Sequence, residues 1–106
     1  MDDRAKGRER LDELAPDLLA NPEVSWMRMF GSEGLSVRGK VFAFAAHDGC
    51  LVAKLPAERI DELGLDHMVM RGRAMREWAR VPLTEGVEHW RAITDDAFAF
   101  VDSITP

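Results

Sequence analysis

Lys40-Val41-Phe42-Ala43-Phe44-Ala45-Ala46-His47-Asp48-Gly49-Cys50-Leu51-Val52-Ala53-Lys54-Leu55 is the stretch that decides the fold. Two apolar runs flank Asp48-Gly49, a dipeptide suited to the positive backbone angles of a type I′ hairpin turn. The reading is two antiparallel strands over 40–46 and 50–55. Upstream, Val24–Phe30 and Leu35–Arg38 read as two more strands, separated by a Gly31-Ser32-Glu33-Gly34 turn and followed by a turn at Gly39. This is an antiparallel meander.

Helical periodicity brackets the meander. Leu11, Leu14, Leu18 and Leu19 recur at three- and four-residue steps, with Pro16 predicting a kink or restart and Asn21-Pro22 a stop. Pro56 to Gly64 reads as a short helix with proline at its start and glycine at its end. His67–Met70 and Arg76–Val81 are two further strands joined by a basic loop. Thr84 is the expected N-cap of a last helix carrying Val87, Trp90, Ala97, Val101 and Ile104, with a restart conceivable at Thr94-Asp95-Asp96. The order predicts a single two-layer α+β domain over residues 1–106: an antiparallel sheet of five or six strands with helices at the N-terminus, middle and C-terminus.

Composition narrows the function classes. The 106 residues carry 46% hydrophobic and 31% charged side chains and a formal net charge of −5, which suits one modest core. No apolar run reaches the ~18–20 residues of a spanning helix, and the charged N-terminus does not read as a signal peptide, so no membrane partner is expected. One cysteine, Cys50, excludes an internal disulfide and fits a reducing cytoplasm. Net acidity disfavours sequence-independent nucleic-acid binding, which depends on phosphate neutralisation.

Catalytic signatures are missing: there is no Gly-x-Ser-x-Gly elbow, phosphate-binding glycine loop, HExxH helix or paired Cys-x-x-Cys. No catalytic residue and no cofactor is therefore assigned. His47 and Cys50 have His-x-x-Cys spacing that His67 or His89 would have to complete, but a hairpin explains that spacing without a metal. Met27, Met29, Met68 and Met70 fall at period two and read as core filler. Trp90, Phe98 and Phe100 read as core anchors of the last helix.

The most distinctive chemistry is Arg71-Gly72-Arg73-Ala74-Met75-Arg76-Glu77-Trp78-Ala79-Arg80, with four arginines against one glutamate. Strand alternation puts Arg76, Trp78 and Arg80 on one face, and likewise Trp26 with Arg28. Arg28, Arg71, Arg73, Arg76, Trp78 and Arg80 are thus the candidate surface for an anion, a small ligand or a partner. The plainer alternative has arginine stems covering the tryptophans while their heads reach water or the nineteen acids. The run from Val41 to Ala46 is apolar on both faces, which implies either helices over both faces or a second copy of the chain. A homodimer acting through contacts with a protein partner is the favoured expectation, and nucleic acid is a less favoured partner.

Met29-Phe30-Gly31-Ser32-Glu33-Gly34-Leu35 followed by Gly39-Lys40-Val41-Phe42-Ala43 resembles the signature of TfoX N-terminal domains, as do Lys54 and the Gly72-Arg73, Met75, Trp78, Val81-Pro82 block. The likeness spans roughly residues 24–104, and the related YjbR-like domains share Gly-Lys-x-Phe-Ala and a His-Met pair like His67-Met68. It implies a two-layer α+β fold and a regulatory setting, with no catalytic residues to carry over. TfoX proteins also have a C-terminal helical domain, which this chain, ending at Pro106, is expected to lack.

Overall fold

The computed structural model describes residues 3–29 and 32–106. Its elements run α1 (Asp3–Leu19), β1 (Val24–Met29), β2 (Ser32–Val37), β3 (Lys40–Ala45), β4 (Leu51–Lys54), α2 (Ala57–Glu62), β5 (Asp66–Met70), β6 (Arg73–Val81) and α3 (Val87–Ile104). The six strands form one antiparallel sheet in the order β1-β2-β3-β4-β6-β5. The α+β class and the three helix positions are those the sequence predicts.

One face of the sheet is covered by helices. Leu11, Leu14 and Leu18 of α1, Ile60 of α2 and Trp90, Ile93, Ala97 and Val101 of α3 join one cluster with Leu35, Val37, Phe42, Ala43, Leu51, Ala53, Ala79 and Val81. The helical stripes meet the sheet because i, i+3 and i+4 side chains share a face. Pro16 does not split α1, which runs unbroken through it. Thr94 does not restart α3: its hydroxyl donates to the Trp90 carbonyl at 2.7 Å, so it is satisfied inside the helix. The cap of α3 is Gly86 rather than Thr84.

The turns depart from the sequence reading in an instructive way. Arg38-Gly39 and Arg71-Gly72 are the two-residue turns with positive φ at both positions (+48° and +84°, +54° and +77°). At the β3–β4 connection Gly49 alone is positive, at +86°. That loop spans Ala46 to Cys50, closed by Gly49 N–H to Ala46 O at 3.0 Å and by the Cys50 N–H donating to Asp48 Oδ1 at 3.1 Å. The aspartate side chain replaces a tight turn with an Asx turn. Ser32 to Gly34 belong to β2 rather than to a turn; Phe30 and Gly31 lie outside the described residues.

A bulge explains the doubly apolar third strand. The register shifts from Leu35↔Ala43 to Ser36↔Val41, leaving Phe42 as the extra residue. Phe42 then turns with Ala43 to the helix side, where its ring meets Phe98 edge-on at 5.5 Å. Phe44 remains on the other side against Trp78, at 5.8 Å. Strict alternation would have put Phe42 and Phe44 on the same face.

Candidate functional site

Among the described residues no helix covers the second face of the sheet. Register places Met27, Gly34, Phe44, Val52 and Arg80 in a row across β1, β2, β3, β4 and β6, because directly opposed residues point to the same side. Lys54 opposes Trp78 one step along. Val52 is 1% exposed although it stands outside the helix-side cluster. The Phe44–Trp78 pair closes over the middle of the face, and Lys54 Nζ lies 5.1 Å from the Trp78 ring centroid.

Two depressions flank this aromatic pair. At one end an open cavity of about 610 Å³ is lined by Ala46, His47, Asp48, Val52, residues 66–69 of β5 and Arg80. Arg80 Nη2 donates to Asp48 Oδ2 at 2.5 Å. Burial pushes the Asp48 carboxyl up, but the Arg80 guanidinium and the Cys50 amide outweigh it and hold the carboxyl below its usual range. At the other end, about 310 Å³ is enclosed by Lys40, Val41, Lys54, Trp78 and the C-terminal turn of α3.

The six sequence-selected residues are dispersed. Trp78 and Arg80 share the uncovered face but line different depressions. Arg76 lines a third one with Pro56, Ala57, Glu58 and Glu77, beside α2. The cause is an irregularity in β6: His67 pairs with Ala79 but Met68 pairs with Met75, so residues 76–78 have no β5 partner. Arg71 sits at the β5–β6 turn, Arg73 next to it, and Arg28 on β1 at the far edge of the sheet. Arg76, Trp78 and Arg80 thus line three different depressions.

Cations do cover the tryptophans, but they come from elsewhere in the chain. Arg8 of α1 lies over Trp26 at 4.3 Å, and Arg10 over Trp90 at 5.0 Å. Arg8 also reaches Asp12 and Glu33, and Arg10 donates to the Leu83 and Glu85 carbonyls at 2.9 and 2.6 Å. Only helical spacing of Arg8 and Arg10 toward the buried stripe of α1 hints at these pairings in the sequence. Met27 is 41% exposed and Met68 lines the larger cavity, so neither is core filler; the side chains of Met29 and Met70 fall outside the described residues.

Nucleophile and metal chemistry find little footing. Cys50 is buried, and its thiol is pushed up to about 11 by burial and then by Asp48, the opposite of an activated thiolate. Among the described residues no three His, Cys, Asp or Glu side chains are grouped to hold a metal ion. His67 faces the Asp61 carboxylate and the Met75 carbonyl, and His89 faces Glu85. Among the described residues no helix is long and apolar enough to cross a membrane. Comparison with protein-family models, with curated proteins and with solved structures finds no match.

Proposed function

We propose that the protein is a cytoplasmic, non-catalytic binding module of the TfoX N-terminal-like kind, acting through protein contacts as a homodimer. The observation that supports this most is the uncovered face, whose centre is Phe44, Val52 and Trp78 with Met27 and Val41 beside them. A second copy is the occupant because the face is electrically self-complementary. Its Asp48–Asp66 end has two carboxylates against Arg80, while the opposite end carries Lys40 and Lys54, the latter 3.9 Å from Glu77. A two-fold axis lying in the interface and across the strands sets each acidic end against the partner's basic end. Sheets stacked this way interleave side chains over about 10 Å.

Sedimentation equilibrium tests the dimer. At about 50 μM, where protomer concentration no longer limits a stable pair, the mass should be twice 11.9 kDa. Met27→Glu adds a charge to an already exposed position of the face, so its thermal midpoint should hold while its mass falls to one chain. A single-chain mass for the unaltered protein overturns the proposal.

A second reading has its own support. Residues 68–75 of β5 and β6 pair only with each other, forming a two-stranded ribbon beyond the end of β4. Arg71 and Arg73 are exposed on it and Arg76 just beyond its end, and among the described residues none of the three has an ion pair. Such a ribbon fits the width of a nucleic-acid major groove. Anisotropy with a short duplex should then show salt-dependent binding, and Arg71→Ala with Arg73→Ala should lower the log–log salt slope by about 2. No binding at low salt removes this reading.

A further inference from the structure

We propose that the cavity between the β3–β4 loop and β5 binds a zwitterionic small molecule of the α-amino-acid class with an apolar side chain. The inference concerns one end of the uncovered face of the single chain, the end that the proposed dimer would set against the partner's lysines, so it is tested in the Met27→Glu chain, where that dimer is removed and the cavity lining is unchanged. The cavity volume of about 610 Å³ lies within the range of small-molecule sites, and it has the usual division into an apolar floor and a few convergent polar groups. Val52, Met68 and Ala46 make the floor, and His47 stands at the rim.

Three charges decide the ligand class. Arg80 is anchored by a single hydrogen bond, from Nη2 to Asp48. Among the described residues its Nε–H and the N–H groups on Nη1 have no protein partner, so a donor edge suited to a carboxylate remains. Asp48 already has a partner on each oxygen: Oδ2 accepts from Arg80 and Oδ1 from the Cys50 N–H. Asp66 opposes Arg80 directly across the β5–β6 ladder, yet among the described residues its carboxylate has neither a hydrogen bond nor an ion pair. Directly opposed side chains start about 5 Å apart, so one small ligand can touch both head groups.

The lining therefore holds two carboxylates and one guanidinium, a formal −1 with the histidines neutral. A simple anion would use the Arg80 donors but meet net repulsion. A simple amine would satisfy Asp66 and leave those donors to water. An α-amino acid supplies a carboxylate for Arg80 and an ammonium for Asp66, and its side chain covers Val52 and Met68. The polar groups fix its orientation, while burial of the side chain adds affinity.

Nitrogen–proton NMR titration with L-leucine tests this, alongside isopentylamine, which lacks the carboxylate, and 4-methylpentanoate, which lacks the ammonium. Leucine should give saturable shifts at the amides of Val52, Met68 and Arg80, and each analogue should bind about 10-fold or more weakly because one charge-assisted contact is gone. Asp66→Asn, at an exposed position, should keep its thermal midpoint and lose leucine affinity by about 10-fold or more. No saturable shift at millimolar leucine, equal binding of isopentylamine or of 4-methylpentanoate, or unaltered affinity in Asp66→Asn each overturns the proposal.

Discussion

Trp90→Ala is expected to cost about 3–5 kcal/mol, the range for removing a fully enclosed aromatic side chain. Trp90 is 0% exposed and is the largest fully buried side chain of the core. It is also tied at its polar edge: Nε1–H donates to the Pro82 carbonyl at 3.1 Å, while Arg10 covers its ring and holds the Leu83 and Glu85 carbonyls. The residue thus joins three parts of the chain, α1, α3 and the connection after β6. Each kcal/mol shifts the midpoint of a domain of this size by about 4–8 °C, so the thermal midpoint should fall by tens of degrees. Against a total stability of about 5–15 kcal/mol, much of the protein could unfold at ambient temperature. Trp90→Phe keeps most of the apolar area and leaves the Pro82 carbonyl unpaired, so a smaller loss of about 1–3 kcal/mol is expected. Thermal and urea melts followed by circular dichroism measure both. An alanine variant melting within a few degrees of the unaltered protein would remove Trp90 from its assigned place.

The meander, the helix positions and the two-layer class were legible because they rest on local signals. The apolar runs Lys40–Ala45 and Leu51–Lys54 on either side of Asp48-Gly49, helical spacing in Leu11–Leu18 and the proline and glycine around α2 are written in consecutive residues. The bulge at Phe42 was not, since it is a property of the pairing between β2 and β3. One extra residue moves an aromatic ring from the uncovered face to the core, and strict alternation has no way to announce it. The candidate site was legible only in part for the same reason. Arg76, Trp78 and Arg80 all share a face only on a regular strand; Trp78 and Arg80 keep the uncovered face, but the offset between His67/Ala79 and Met68/Met75 leaves Arg76 beside α2.

Charge was legible in amount but not in address. Arginine beside tryptophan is present at all three tryptophans only if lysine is counted, and in each case the cation comes from a different element or strand. Among the described residues Arg80 is the arginine of the basic segment that has an ion pair: it is bound to Asp48 in the loop that the Asp-Gly dipeptide marked. The dipeptide therefore matters for a reason beyond turn geometry. Its aspartate leaves the tight-turn role, accepts the Cys50 amide and presents its other oxygen to a guanidinium two strands away.

Gly7→Ala should lower stability by about 1–3 kcal/mol, although the same change in an exposed helix interior raises it by about 0.5–1 kcal/mol. Gly7 is buried on α1, where a Cβ would stand 2.7 Å from Gly49 Cα and 2.8 Å from Gly49 C and would overlap the Gly49 carbonyl oxygen. Those are backbone atoms of a loop closed by its own hydrogen bonds, so they cannot rotate aside as a side-chain tip would. Gly49 is equally constrained: its φ of +86° and the Asp3 carbonyl beside it leave no room for a side chain. Helix and loop meet glycine on glycine, and the helix gives up propensity at Gly7 to allow the approach. Gly86→Ala serves as the control, because its φ is −69° and nothing lies within 4 Å of the added Cβ. That variant should lose no more than about 1 kcal/mol, the difference between glycine and alanine at an N-cap. Because the displaced loop carries Asp48, Gly7→Ala should also broaden or shift the Arg80 amide resonance, which Gly86→Ala leaves in place. A Gly7→Ala protein that melts higher than the unaltered chain would mean that α1 and the β3–β4 loop do not touch, and the wall of the cavity would have to be redrawn.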